Sequence, residues 1–261
     1  QDNIDIREAL NERGGFQIWW RLLRPHTLTA SFIPVFIGTM YAVISDDTFH
    51  FLLFLAMMVA SILIQAATNM FNEYYDYVRG LDHEQSVGIG GTIVRDGVKP
   101  KTVLNLGFIF FGIAILIGIY ISAMTSWYIA LIGAVSMLIG YLYTGGPIPI
   151  AYTPFGELFS GFLMGTVMIG ISFFIQTLYV SKEVIIISIP IAILIGSILL
   201  SNNIRDLDND KESGRKTLAI LVGHKNAVII LASAFAIVYI STIVFMFIGI
   251  LPWWSLITLL S

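Results

Sequence analysis

The chain has 261 residues, of which 57% are hydrophobic and only 12% charged, and its mean hydropathy is +0.84. These values exclude an ordinary soluble domain and predict an integral membrane protein. Because the sequence contains no cysteine, disulfides, thiolate metal sites and cysteine nucleophiles are excluded as well.

Long apolar windows follow one another along the chain. In order they predict helices near residues 19–45, 50–79, 102–123, 127–143, 155–180, 184–206, 226–249 and from 253 onward. Their continuous apolarity favours helices, because a barrel strand would alternate. We therefore expect an all-α, multi-pass transmembrane bundle with eight helices in a single domain over residues 1–261, the last helix being truncated. The mixed-charge segment before the first helix is expected to be a short cytoplasmic lead.

The basic residues are unevenly distributed among the loops. They lie before or at the start of the first helix, between the second and third helices, and around the end of the sixth, and only Lys182 falls on the opposite side. By the positive-inside rule, the N-terminus and the two long polar loops are cytoplasmic.

A cluster of polar residues ends the second helix, in the run NMFNEYYDYVRGLD at positions 69–82. At helical spacing, Asn69, Asn72, Glu73, Asp76 and Gly80 fall within roughly a third of the circumference. Helix capping alone would need only one or two such residues, whereas polar groups in a spanning helix usually mark a site. We therefore interpret this face as one half of a binding site.

A second polar cluster ends the sixth helix, in the run SNNIRDLDNDKESGRKTLAILVG at positions 201–223. Asn202, Asp206 and Asp210 recur at every fourth position and form a line of oxygen ligands, whereas Asp208 points elsewhere and is expected to be solvated. Arg205 and the Arg215–Lys216 pair add positive charge; for each of them a mere topology signal is an open alternative.

Three further segments lie at or near the same membrane face. The glycine-rich stretch at 86–100 could form a mobile lid, but it is not a nucleotide-binding P-loop. Tyr143 and Glu157 flank the Gly- and Pro-rich break after the fourth helix, where Tyr143 could equally be an interfacial aromatic residue. The pair Gly161 and Gly165 is typical of helix packing.

None of the four histidines has zinc-site spacing, and His83 is the one worth testing.

Two clusters of carboxylates and amides at one membrane face suit a hard cation, and Mg²⁺ prefers such oxygens together with ligand phosphates. Neither cluster forms a complete protein cage, which points to a metal-bridged phosphate ligand. Since the rest of the bundle is apolar, the matching ligand has a diphosphate head and a hydrocarbon tail. The residues therefore predict a polyprenyl diphosphate site.

The motifs resemble those of the UbiA-type intramembrane aromatic prenyltransferases. The similarity rests on RPHTL (24–28), NMFNEYYDYVRGLD, VGIGGTIVRDG, YTGGPIP and NNIRDLDNDKESGRKTL, which together extend from position 24 to 218. Within the family, the pattern is most like the branch that prenylates 1,4-dihydroxy-2-naphthoate in menaquinone synthesis.

The resemblance implies nine helices around a central cavity, and a Mg²⁺-dependent transfer in the plasma membrane of a bacterium, with the site open to the cytoplasm. It implies that a polyprenyl group passes to 1,4-dihydroxy-2-naphthoate with loss of diphosphate and CO₂, giving demethylmenaquinone. No nucleic acid and no protein partner is expected; the partners are the two substrates and the lipid bilayer.

The resemblance also suggests roles for particular residues. We expect two Mg²⁺ ions to be held by the Asn and Asp residues of the two motifs: Asn72, Asp76 and Asp82 for one, and Asn202, Asp206 and Asp210 for the other. The four aspartates are the expected catalytic groups. Tyr143, Arg95 and Lys216 are expected to steady the diphosphate, and Arg24 and Asn69 to contact the acceptor. The role of Glu73 is open.

Two other functions stay open at this point. A sister prenyltransferase could use 4-hydroxybenzoate, homogentisate or haem as its acceptor. A cation-coupled transporter would also carry intramembrane acids, but near the bilayer midplane rather than at a basic cytoplasmic mouth.

Overall fold

Helices account for most of the chain that the structure, a computed structural model, describes, namely residues 15–82 and 91–260. The expected N-terminal lead, His83 and the first part of the proposed lid lie outside the described residues. The helices are α1 (Gly15–Leu23), α2 (Pro25–Asp46), α3 (Phe51–Val78), α4 (Thr92–Asp96), α5 (Pro100–Met124), α6 (Trp127–Leu142), α7 (Gly156–Thr177), α8 (Lys182–Arg205), α9 (Leu207–Glu212), α10 (Leu218–Val222) and α11 (His224–Phe247).

Six of these helices, α2, α3, α5, α7, α8 and α11, are long and apolar enough to cross a membrane. Their bounds agree with the apolar windows to within three residues, because a spanning helix requires about 20 apolar residues, except for the first window. The helix predicted at 19–45 is broken at Arg24 into α1 and α2, because Arg24 has a left-handed backbone conformation there. The predicted helix at 127–143 is the shorter α6 of 16 residues. From residue 253 the structure has a 3₁₀ helix, Trp253–Leu260, where the sequence predicted the start of another spanning helix.

The helix α3 packs antiparallel to α5, and α8 packs antiparallel to both α7 and α11. The helix α2 packs in parallel with α7, as the contacts of Gly38 with Ile169 and of Tyr41 with Phe173 show. The contact between α7 and α8 is especially close. A Cβ atom added to Gly161 would lie 2.5 Å from the Ala192 carbonyl oxygen, and one added to Gly165 would lie 2.6 Å from the Ala192 Cα. The prediction that these glycines serve helix packing is confirmed. The same stretch of α7, Phe162–Val167, is a π-helical turn.

Antiparallel packing also decides where the polar residues meet. The C-terminal ends of α3, α6 and α8 and the N-terminal ends of α2 and α7 lie at the same end of the bundle, and both Asn/Asp-rich motifs are there. The outward faces of α5 and α11 carry exposed apolar side chains such as Ile109, Leu116, Ile229 and Ile240. In a bilayer these faces contact lipid.

Candidate active site

A cavity of about 540 Å³ runs through the bundle between α3, α5, α6, α7 and α8. Its apolar end is formed by Met57, Ile121, Ile129 and Ile171, and its other end by the polar residues of the two motifs. Along α3 the wall extends from Met57 to Asp76, which corresponds to about 28 Å at about 1.5 Å per residue. The cavity therefore extends over most of the thickness of a hydrocarbon core of about 30 Å.

The first motif lines the polar end through Asn69, Asn72 and Asp76, which recur at helical spacing on α3. The Oδ1 atom of Asn72 is buried without a hydrogen-bond partner among the described residues. An unsatisfied buried acceptor is costly, so its presence in a cavity wall is what a site for a cation or a hydrogen-bond donor requires.

Two residues of the predicted common face, Glu73 and Gly80, do not line the cavity, and neither does Asp82, which was predicted as a further metal ligand. Glu73 is fully buried and its carboxylate contacts α4 instead of the cavity, accepting hydrogen bonds from the Thr92 hydroxyl and from the Ile93 amide at 3.0 Å. Gly80 lies beyond the end of α3 at φ 72°, because the helix closes there with the Leu81 amide donating to the Asp76 carbonyl oxygen at 2.9 Å. Asp82 follows this turn, outside the cavity wall formed by the described residues.

Asn69 does face the cavity, but its amide group is already engaged. Its Nδ2 atom donates to the Leu23 carbonyl oxygen at 3.1 Å and to the Thr27 hydroxyl at 2.8 Å. Asn69 thus holds the junction between α1 and α2 against α3.

The second motif brings Asn202, Asp206 and Asp210 to the same cavity wall, as predicted. The helix is interrupted at Asp206, between α8 and α9, yet the every-fourth-residue pattern persists. The Asp206 amide donates to the Asn202 carbonyl oxygen at 3.0 Å, and the Asp210 amide donates to that of Asp206 at 2.9 Å. Asp208 is exposed, in agreement with its predicted solvation.

The two acids of this motif have different surroundings. Asp206 is partly exposed and forms a two-pronged ion pair with Arg205, at 2.8 and 2.7 Å. Asp210 is buried, and burial raises the pKa of its carboxyl group, although the nearby Arg215 opposes the shift.

Arg215 connects the two motifs and was not among the predicted site residues. Its guanidinium lies 3.4 Å from Asp76 Oδ1 and 3.2 Å from Asp210 Oδ1, and 4.7 Å from the centre of the Tyr152 ring. Burial alone would lower its pKa, but the Asp76 and Asp210 carboxylates outweigh that effect and raise it. The available signal was the adjacent pair Arg215–Lys216, and sequence alone could not decide which of the two side chains points inward.

Of the other residues predicted to bind the diphosphate or the acceptor, some line the cavity and others do not. Tyr143 and Arg24 line the cavity. Lys216 and Arg95 are exposed and lie outside the described cavity wall. Glu157 lies behind the wall, where it accepts a hydrogen bond at 2.8 Å from Asn203, a residue that faces the cavity.

Within the described part of the chain, no group of three or more His, Cys, Asp or Glu side chains is arranged to hold a metal ion. The oxygen donors nevertheless include asparagines, and Asn72 and Asn202 face the same cavity as three aspartates. Oxygen-only donors from both motifs fit a hard cation such as Mg²⁺, particularly one whose shell is completed by a ligand phosphate.

A membrane bundle with an apolar cavity and a carboxylate-rich mouth fits an amphipathic lipid ligand. The chain belongs to the UbiA prenyltransferase family, whose family model matches residues 31–261. It is therefore a prenyltransferase, and its expected all-α membrane fold is confirmed.

Two relatives show how specific this similarity is. The chain is 60% identical to the 1,4-dihydroxy-2-naphthoate octaprenyltransferase of Bacillus subtilis (strain 168), over 94% of this chain and 78% of that protein. It is 33% identical to the UbiA prenyltransferase domain-containing protein 1 of Xenopus tropicalis, over 77% of this chain and 58% of that protein.

Solved structures share the fold. A UbiA homolog from Archaeoglobus fulgidus bound to GPP and Mg²⁺ has a TM-score of 0.70 and 16% identity, over 88% of this chain and 78% of that one. The same homolog bound to DMAPP and Mg²⁺ has a TM-score of 0.69 and 17% identity, with equal coverage.

Proposed function

We propose that the protein transfers a polyprenyl group from polyprenyl diphosphate to 1,4-dihydroxy-2-naphthoate, releasing diphosphate and CO₂. The observation that carries the proposal is a cavity about 28 Å long along α3, whose polar mouth contains both acid motifs and whose opposite end is apolar. Such a cavity fits a ligand with an anionic head and a hydrocarbon tail. The choice of acceptor is supported by the 60% identity to the Bacillus subtilis octaprenyltransferase.

The proposed metal ligands are Asn72 and Asp76 from α3, and Asn202, Asp206 and Asp210 from α8 and α9. Asp82 is proposed as an additional ligand, although it lies outside the described cavity wall. Bound Mg²⁺ supplies positive charge that stabilises the departing diphosphate. The related Archaeoglobus fulgidus structures, which hold Mg²⁺ together with DMAPP or GPP, support this choice of metal.

The remaining polar residues of the mouth bind and orient the substrates. Arg215, rather than Lys216 or Arg95, is the basic side chain best placed to contact the diphosphate, and Tyr143 lies in the same wall. Arg24 is proposed to bind the carboxylate of the acceptor. The apolar interior excludes water from the allylic cation.

In the proposed reaction, the allylic carbon–oxygen bond breaks and its electron pair leaves with the diphosphate. The ring carbon that bears the carboxylate forms the new carbon–carbon bond. The bond to the carboxylate then breaks, CO₂ leaves, and its electron pair restores the aromatic ring. The product is the hydroquinone form of demethylmenaquinone, so the step needs no oxidant and no net proton transfer.

We place the protein in the bacterial plasma membrane with the mouth facing the cytoplasm. The distribution of Lys and Arg supports this orientation, and the Bacillus subtilis relative supports the membrane. The acids lie at the ends of α3 and α8, which is not the midplane position expected of a cation transporter.

The test is an acceptor comparison with the purified protein in nanodiscs. A labelled polyprenyl diphosphate and Mg²⁺ are supplied with 1,4-dihydroxy-2-naphthoate, 4-hydroxybenzoate, homogentisate or haem in turn. We expect prenylated product and labelled CO₂ from carboxyl-labelled 1,4-dihydroxy-2-naphthoate. Faster turnover with any of the other three acceptors would overturn the assignment.

A further inference from the structure

Glu73 is a fully buried carboxylate that points away from the cavity. Its Oε1 atom accepts hydrogen bonds from the Thr92 hydroxyl and the Ile93 amide, both at the start of α4. Thr92 is fully buried too. The carboxylate is thus fixed in place by a second element of the fold, because two donors hold one of its oxygens.

The second oxygen of Glu73 faces Arg24. Glu73 Oε2 has no hydrogen-bond partner among the described residues, and Arg24 Nη2 lies 3.9 Å from it. A buried ionised carboxylate needs an opposite charge nearby, and this guanidinium provides it. At 3.9 Å the contact is an ion pair without a hydrogen bond, so the donors of Arg24 are left available to another acceptor.

Arg24 is the cavity-lining member of this pair, and its backbone conformation is unusual. It lies between α1 and α2 at φ 50° and ψ 64°, a left-handed conformation that an arginine rarely adopts. Asn69 holds the neighbouring Leu23 carbonyl oxygen, and the Thr27 amide donates to the Arg24 carbonyl oxygen at 2.9 Å. Such a conformation persists only where surrounding contacts enforce it, and these residues tend to occur at functional sites.

We infer that Glu73 is a positioning residue that, while anchored to Thr92 and Ile93 of α4, fixes the Arg24 guanidinium at the cavity wall so that it binds the acceptor's carboxylate. The inference rests on the proposed function and concerns how the acceptor is bound. The Nε atom of Arg24 is buried without a partner among the described residues, which agrees with an arginine held ready for an anion.

A purely structural ion pair would predict a different outcome, and the chain contains a matched example. Arg21 on α1 and Asp96 on α4 form another ion pair, at 3.3 Å, and the Asp96 side chain is only 5% exposed. Neither residue lines the cavity. The substitution Asp96→Asn therefore removes a comparable buried charge without touching Arg24.

The experiment uses the full chain in nanodiscs. The variant Glu73→Gln keeps an acceptor for Thr92 and Ile93 but removes the charge opposite Arg24. For each variant, KM is measured for 1,4-dihydroxy-2-naphthoate and for the prenyl diphosphate, with kcat and the melting temperature. Two acceptor analogues, 1-hydroxy-2-naphthoate and 1-naphthol, are tested as competitive inhibitors; they differ by the carboxylate alone, so a comparison of their inhibition constants isolates its recognition.

We expect Glu73→Gln to raise the KM for the acceptor and the inhibition constant of 1-hydroxy-2-naphthoate by about tenfold, with the 1-naphthol constant unchanged. The KM for prenyl diphosphate stays unchanged. Asp96→Asn should lower the melting temperature about as much as Glu73→Gln does, because each removes a buried charge. It should leave the KM values and both inhibition constants unchanged. Arg24→Gln gives the same loss of carboxylate preference, and combining it with Glu73→Gln adds nothing further.

Equal constants for wild type and Glu73→Gln, or equal losses for 1-hydroxy-2-naphthoate and 1-naphthol, would overturn the inference. If Glu73→Gln does not fold, Thr92→Val decides the matter, because it removes one hydrogen bond to Glu73 and should give a smaller loss confined to the carboxylate-bearing ligand. No loss in that variant would also overturn the inference. Absence of wild-type turnover with 1,4-dihydroxy-2-naphthoate would instead refute the proposed function.

Discussion

Arg215 lies 3.4 Å from Asp76, although 139 residues separate them in the sequence. Its second contact, to Asp210 at 3.2 Å, makes this arginine the bridge between the two acid motifs. Two carboxylates from different helices would repel one another across the cavity mouth, and the guanidinium between them offsets that repulsion. Substrate and metal must therefore enter a site whose acids already have a counter-ion.

The first prediction concerns the two acids that the proposal places at the metal. Asp76→Asn and Asp206→Asn should each lower turnover by about 100-fold or more, because a neutral amide holds a divalent cation less well than a carboxylate. The melting temperature of both variants should stay near that of the wild type. Near-normal activity in either variant would refute the assignment of two metal-binding motifs.

The second prediction separates Arg215 from its neighbour. Arg215→Gln should raise the KM for prenyl diphosphate by about tenfold, because it removes a basic side chain that faces the cavity beside Asp76 and Asp210. Lys216→Gln should have a much smaller effect, since that side chain is exposed outside the described wall. Steady-state kinetics with varied prenyl diphosphate distinguish the two, and a larger effect of Lys216→Gln would contradict the placement.

The third prediction concerns the metal. Treatment with EDTA should abolish turnover, and added Mg²⁺ should restore it. Mg²⁺ with inorganic diphosphate should also raise the melting temperature of the wild type, because a ligand that binds only the folded state stabilises it. The same addition to Asp210→Asn should give a smaller rise. Turnover that persists after complete chelation would exclude a metal-dependent transfer.

The fourth prediction addresses the packing of α7 on α8. Gly165→Ala should destabilise the fold by about 1–3 kcal/mol, because the new Cβ atom would lie 2.6 Å from the Ala192 Cα. Gly170→Ala in the same helix is the control, since its Cβ atom would meet nothing within 4 Å. Thermal unfolding in detergent measures both. Equal melting temperatures for the two variants would contradict the close approach of these helices.

The fifth prediction follows the hydrocarbon tail. Gly133 lines the apolar part of the cavity and has open space around the position of a Cβ atom. Gly133→Leu should therefore lower kcat/KM for long polyprenyl diphosphates more than for geranyl diphosphate. Gly112→Leu, at a position with equal space but outside the cavity wall, is the control. A uniform loss across chain lengths would show that the tail does not pass Gly133.

Much of this architecture could be predicted from sequence, because spanning helices are read from apolar length and basic loops from charge. The bounds of α3 and α8 and the convergence of Asn72, Asp76, Asn202, Asp206 and Asp210 on one cavity all follow the predicted pattern. The regular spacing on each helix is a local property, and antiparallel packing of neighbouring helices brings both helix ends together.

What could not be predicted depends on contacts between distant segments. A helical wheel places Glu73 beside Asn72. In the structure, however, α4 packs on α3, and its Thr92 hydroxyl and Ile93 amide donate hydrogen bonds to the Glu73 carboxylate. Likewise, the inward turn of Arg215 and the outward position of Lys216 depend on where α9 ends relative to Tyr152, whose carbonyl oxygen accepts the Lys216 amide at 2.8 Å. Both arrangements depend on tertiary contacts, which the spacing of residues along a helix does not determine.

The two ends of the cavity differ in polarity, with oxygen ligands at one end and Met57, Ile121 and Ile129 at the other. A substrate of the proposed kind is divided in the same way when it lies in a leaflet, with its charged head at the surface and its tail in the hydrocarbon. The enzyme therefore need not extract the tail into water, which would expose every methylene group at about 0.8 kcal/mol each. Each part of the substrate exchanges one environment for another of similar polarity, and binding energy remains available for the chemical step.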